Sequence, residues 1–175
     1  MKKVLACLLA LAILASLGIT AFAAEVPSVQ PDKPVPVVVP TTPDKDEEDV
    51  SAWIIITDYE DKEKLPKAAE EQLDQAYEAL QDVAAVVDGN EDLKALLEGK
   101  EVDCESLFDI SIVEDKVELP VEVKLELVNP DHFAALLHFV DGEATLIETE
   151  LKDENLVLTL EETGAYAVLS FVEAE

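Results

Sequence analysis

The apolar residues of this chain change their spacing near residue 100, and that change limits the folds open to it. Before it, Leu65, Ala69, Leu73, Ala76, Tyr77, Leu80, Val83, Ala84 and Val87 recur every three or four positions, which gathers them on one face of a helix. Glu70, Glu71, Asp74, Glu78 and Asp82 fall on the other face. Pro66 suits the first turn of this helix, and Asp88-Gly89 ends it. A second, shorter helix is expected from Asn90, its cap, to Glu98, with Gly99 at the stop. Ahead of both, Trp53-Ile54-Ile55-Ile56-Thr57 is a short run with strong strand preference.

Beyond residue 101 the period is two. Phe108, Ile110 and Ile112 alternate with Asp109 and Ser111, and Val117, Leu119, Val121, Val123, Leu125 and Leu127 alternate with polar residues. Pro120 interrupts that second run and argues for an edge position or a break. Phe133 to Val140 is mostly apolar, as expected of a strand buried on both faces or nearly so. Asp141-Gly142 reads as a hairpin turn. Further strands are expected near 144–151, 156–160 and 165–172. The fold class that follows is α+β: an N-terminal strand and two helices packed with a C-terminal antiparallel β-sandwich. The chain divides into residues 1–23, 24–50, 51–100 and 101–175.

Residues 1–23 read as a secretory signal peptide. Lys2 and Lys3 precede an apolar run from Val4 to Ile19, and Ala21-Phe22-Ala23 offers the small-x-small pattern of a cleavage site. Cleavage is expected between Ala23 and Ala24, giving a secreted, extracellular protein with no membrane span after removal of the signal. Leu5-Ala6-Cys7 imitates a lipobox, but too few residues precede Cys7 for an apolar run to be threaded ahead of it. Residues 24–50 are an acidic linker punctuated by Pro27, Pro31, Pro34, Pro36, Pro40 and Pro43, expected to act as an extended spacer.

Charge excludes several functions. The chain has 40 acidic residues and 12 basic ones, a net charge of −28, and every basic residue is a lysine. Such a surface repels phosphate backbones and lacks the guanidinium fork that reads them, so nucleic acid is an excluded partner. Anionic membrane surfaces are disfavoured in the same way, whereas basic partners and loosely held cations are favoured. With Cys7 in the signal, Cys104 is the one cysteine left. No intrachain disulfide is then available, and Cys104 is expected to be a small buried filler rather than a nucleophile. Asp103 and Glu105 beside it would raise its pKa.

The second half resembles a β-sandwich domain found in secreted and surface proteins of Gram-positive, clostridia-type bacteria. The residues that carry the likeness are Leu107-Phe108-Asp109-Ile110-Ser111, Leu137-His138-Phe139 followed by Asp141-Gly142, and Gly164-Ala165-Tyr166-Ala167-Val168. The helix Leu73-Asp74-Gln75-Ala76-Tyr77-Glu78-Ala79-Leu80 is similar to one that precedes such domains. The resemblance implies an Ig-like sandwich over roughly residues 53–172 and carries no catalytic residues. An LPxTG-type sorting signal and an apolar C-terminal anchor are not seen, so covalent wall attachment is not expected.

No catalytic, cofactor-binding or metal-binding residue is assigned. His132 and His138 would lie roughly 20 Å apart on one strand, too far for one metal ion. His132 is expected in the turn after Pro130 and His138 on the strand as a packing residue. HExxH, CxxC and Gly-rich phosphate loops are missing. Among so many acids, a carboxylate pair of glycosidase type has no diagnostic value. The oxygen-rich stretches Asp88-Gly89-Asn90-Glu91-Asp92 and Asp44 to Asp49 do not follow EF-hand spacing. The reading is a secreted, non-enzymatic module of the extracellular space or cell envelope, binding a protein or surface ligand. A carboxylate-dependent hydrolase and a calcium-stabilised secreted protein stand as alternatives.

Overall fold

Local chemistry sets the helix boundaries in the computed structural model, which describes residues 35–39, 50–113 and 116–172. The expected signal peptide and most of the linker lie outside the described residues. Helix α1 spans Lys67–Leu80 and begins directly after Pro66. The apolar stripe expected as one long helix is broken at Gln81 and Asp82. The Asp82 carboxylate accepts the Ala85 N–H at 3.0 Å, capping a separate helix α2, Val83–Gly89. The break turns Val83 into the core, where it is 1% exposed. Helix α3, Glu91–Leu97, starts where expected, with Asn90 Oδ1 accepting the Leu93 N–H at 3.0 Å. It ends in the left-handed residues Glu98 (φ 51°) and Gly99 (φ 78°). Among the described residues, three α-helices therefore replace the two expected.

The strands are β1 Val37–Val39, β2 Ile54–Asp58, β3 Val102–Ile112, β4 Val121–Glu126, β5 Phe133–Val140, β6 Glu143–Ile147, β7 Thr149–Lys152, β8 Asn155–Leu160 and β9 Gly164–Phe171. They form two antiparallel sheets, one of four strands in the order β1-β4-β8-β7 and one of five in the order β2-β3-β9-β5-β6. The stretch expected as one strand over 144–151 is two, because the chain passes from one sheet to the other at Glu148. Strand β4 begins at Val121: Pro120 has no N–H for the ladder, and β4 lies between β1 and β8. Part of the expected spacer is itself paired, since Val37–Val39 line up against Glu126–Lys124.

Two cores share the five-stranded sheet. On one face Leu73, Ala76 and Leu80 of α1, Val83 of α2, and Leu93 and Leu97 of α3 pack over Leu107, Leu137, Phe139 and Leu169. Ala135, Ala165 and Ala167 on that face keep the sheet surface low and let the helices approach. On the other face Phe108, Ile110, Leu136, Tyr166 and Val168 meet Val123, Leu125, Leu156, Leu158 and Leu160 of the four-stranded sheet. Strands β3, β5 and β9 are thus covered on both sides, which explains why Phe133–Val140 reads as a continuous apolar run. It also overturns one expectation. Asp109, placed on the polar side of its strand by alternation, is 2% exposed, because the helix-side face of β3 is covered too.

Candidate binding cleft

The cleft follows the junction where the chain leaves one sheet for the other. It has a volume of about 800 Å³ and runs along Thr145, Leu146 and Ile147 of β6, Glu148, and Thr149, Glu150 and Lys152 of β7. Val157 and Leu158 of β8 supply more apolar surface. Carboxylates dominate the rim: Glu122 at the start of β4, Glu148, Glu150, and Glu161 and Glu162 in the β8–β9 connection. The lysine in the lining, Lys152, is ion-paired with Glu150 at 2.7 Å, and among the described lining residues carboxylates outnumber cations five to one.

His138 and Tyr166 form the inner wall. They are cross-strand partners on β5 and β9, and their rings stack with centroids 4.5 Å apart. The Tyr166 hydroxyl donates to the Glu162 backbone carbonyl at 2.7 Å. Burial, helped by the charges of Glu162, Asp109 and Glu161, raises the Tyr166 pKa well above the usual phenol value. Burial lowers the pKa of His138, while Glu162 and a hydrogen bond to the Thr163 backbone act against that. Gly164 makes room for the pair. Its φ is +139°, and a Cβ there would lie 3.3 Å from both His138 Nε2 and Gln72 Oε1. The Tyr166 hydroxyl and the His138 ring are thus each tied to the backbone of the β8–β9 connection, at Glu162 and Thr163 respectively.

The two histidines are kept apart. His132 lies in the short 3-10 turn Pro130–His132 and lines a second hollow of about 630 Å³ with Asp153, Glu154 and Asn155, at the other end of β8. His138 is on its strand and 7% exposed. Cys104 is buried, with Sγ 3.6 Å from the Ser106 carbonyl oxygen. In the first of the two oxygen-rich stretches Asp88 pairs with Lys94 at 2.6 Å and Asn90 caps α3; the second lies outside the described residues. Among the described residues no group of three His, Cys, Asp or Glu side chains could hold a metal ion, and no helix is long and apolar enough to cross a membrane.

Sequence reasoning missed two polar residues in the central sheet. Glu105 sits where the β3–β9 register shifts, and its carboxylate accepts from Asn129 Nδ2 at 2.5 Å and from the Ser170 hydroxyl. Asp109 lies between Thr57 and Ala165 in the register, with Oδ2 lacking a hydrogen-bond partner. Burial pushes the Asp109 pKa up to about 6, against a hydrogen bond from Ser111. Asp109 does not line the cleft. A sequence signal for it did exist: an amphipathic helix must lay its apolar face on something, and the nearest sheet face carries Asp109. Comparison with protein-family models, curated proteins and solved structures gave no match.

Proposed function

We propose that this protein is a secreted, non-enzymatic module, built as an Ig-like sandwich with an added helix layer, that holds a protein or surface ligand in the cleft along β6 and β7. The observation that carries this reading is the cleft itself. It combines an apolar lining with an excess of carboxylates, and the histidine and tyrosine of its wall are tied into the fold by stacking and by bonds to the Thr163 and Glu162 backbone. A site of that kind selects by shape and charge. The export signal over residues 1–23 and the Pro-rich segment after it support an extracellular setting.

Two measurements test the proposal. N-terminal sequencing of protein recovered from the medium of an expressing bacterium should begin at Ala24. The protein should also be retained on bacterial envelope fragments or on isolated extracellular proteins, and high salt should release it. Loss of retention after Glu148→Gln, Glu150→Gln and Glu162→Gln together would place the ligand in the cleft. No retention on any of these materials would remove the proposal.

A further inference from the structure

Among the described residues, β7 is the last strand of its sheet and its outer edge is open in a way that the edge of β6 is not. Asp153 and Glu154 both have positive φ, 49° and 66°, and form a two-residue hairpin turn between β7 and β8. The pair that closes such a turn, here Lys152 and Asn155, exchanges both of its backbone hydrogen bonds. Alternation then directs the N–H and C=O of Leu151 and Thr149 away from β8, toward the free edge of the four-stranded sheet. The same reasoning at the Asp141-Gly142 turn directs Ala144 and Leu146 outward from β6. There, however, the Ala144 carbonyl accepts from Asn90 Nδ2 at 3.2 Å, so the helix layer has closed that end. Leu151 beside the open edge is 47% exposed although its partner Leu156 is fully buried.

Charge decides what can occupy this edge. Glu148 and Glu150 lie on it, with Glu122, Glu161 and Glu162 around the same cleft. A second copy pairing edge to edge would bring these carboxylates against one another, which is the usual defence of an edge strand against self-association. A strand of opposite charge meets no such barrier. We propose that an extended, basic segment of a partner polypeptide adds to β7 as the fifth strand of the four-stranded sheet. Its backbone bonds Thr149 and Leu151. Alternate side chains are cationic toward Glu148 and Glu150 and apolar toward Leu151 and Ile147. This inference rests on the binding-module reading and names the class of ligand.

The test uses an alternating lysine–valine decapeptide, its glutamate–valine counterpart, and an alternating lysine–proline peptide that carries the charge but cannot form a ladder. Fluorescence anisotropy should show the lysine–valine peptide binding roughly tenfold or more tighter than either control. Amide exchange at Leu151 should slow in that complex. Thr149→Pro removes an outward N–H that the ladder to β8 does not use; it should weaken the complex about tenfold and leave the melting temperature unchanged. Glu148→Gln with Glu150→Gln, which does not touch the backbone, should weaken it and flatten its salt dependence. Equal affinity for the lysine–proline peptide, unchanged exchange at Leu151, or failure of the lysine–valine peptide to bind would each overturn strand addition. Retention on envelope material is read separately. A protein retained there but indifferent to these peptides loses only this inference; one that is not retained loses the binding-module reading as well.

Discussion

Replacing Asp109 by asparagine should shift stability in the variant's favour as pH rises from acid to neutral. The folded-state pKa of Asp109 is about 6, against an ordinary value of 3.8. Between those values the folded chain holds a proton that the unfolded chain has released. Stability therefore falls as pH rises through the window, and the full cost is present above pH 6. A displacement of that size corresponds to about 3 kcal/mol, at about 1.4 kcal/mol for each pH unit. An asparagine side chain never ionises, so the variant escapes this cost. Its amide brings donors into a site where Oδ2 already lacks a partner, at a penalty of about 1–3 kcal/mol, but that penalty does not vary with pH. The stability difference between variant and parent should grow by about 2.4 kcal/mol from pH 4 to pH 7.5, whatever its absolute size, because the unfolded carboxyl is already more than half ionised at pH 4. Urea denaturation followed by circular dichroism at several pH values measures it. The many other carboxylates lose mutual repulsion in acid in both proteins and cancel in the comparison. A difference that is flat across pH would refute the reasoning, and so would one that grows toward acid.

Further expectations concern the wall of the cleft and the helix layer. Gly164→Ala should cost about 1–3 kcal/mol, because φ +139° is strained for any side chain and the new methyl presses on His138 and Gln72; chemical denaturation measures it, and a neutral effect would contradict the crowding. Leu73→Ala should cost about 2–5 kcal/mol at a fully buried site, whereas Leu96→Ala, at a position 52% exposed, should stay within about 0.5 kcal/mol. Asn90→Ala removes both the α3 cap and the bond to the Ala144 carbonyl; it should cost about 1–2 kcal/mol and speed amide exchange in the first turn of α3.

How far the fold could be read from the chain depended on how many faces of each element are covered. The near-continuous apolar runs of β5 and β9 reflect cover on both faces, while alternation located β4 and the Phe108–Ile112 part of β3. It misplaced Asp109, since period-two reasoning treats the second face as solvent, and here the helices cover it. Helix periodicity carried the stripe correctly from Leu73 to Val83, yet it does not register that Asp82 can cap as well as continue a helix. The division of 144–151 into two strands was invisible for a related reason: Glu148 changes the sheet without breaking the run of strand-forming residues. Of the cleft, the sequence showed the charge and both rings as separate features. Their assembly depends on cross-strand register, and register is set by bulges and turns far from His138 and Tyr166.

The switch at Glu148 also explains why the cleft lies where it does. Two sheets joined face to face leave two lateral openings, and each must be closed or exposed. On one side β1 and β2 end the two sheets and contact each other, and Val35 and Val38 pack against the inter-sheet core. On the other side a single chain, β6 through β7, crosses between the sheets with one residue at the corner. It cannot fill the gap it spans, so the hollow remains, with the stacked His138 and Tyr166 as its inner wall. The closed side is made by a Pro-flanked segment from upstream of the domain, and the open side has no such segment among the described residues. One edge of the four-stranded sheet is thus already completed by an extended three-residue strand, Val37–Val39. An incoming strand at β7 would complete the opposite edge by the same backbone chemistry, with lysine or arginine side chains answering the glutamates.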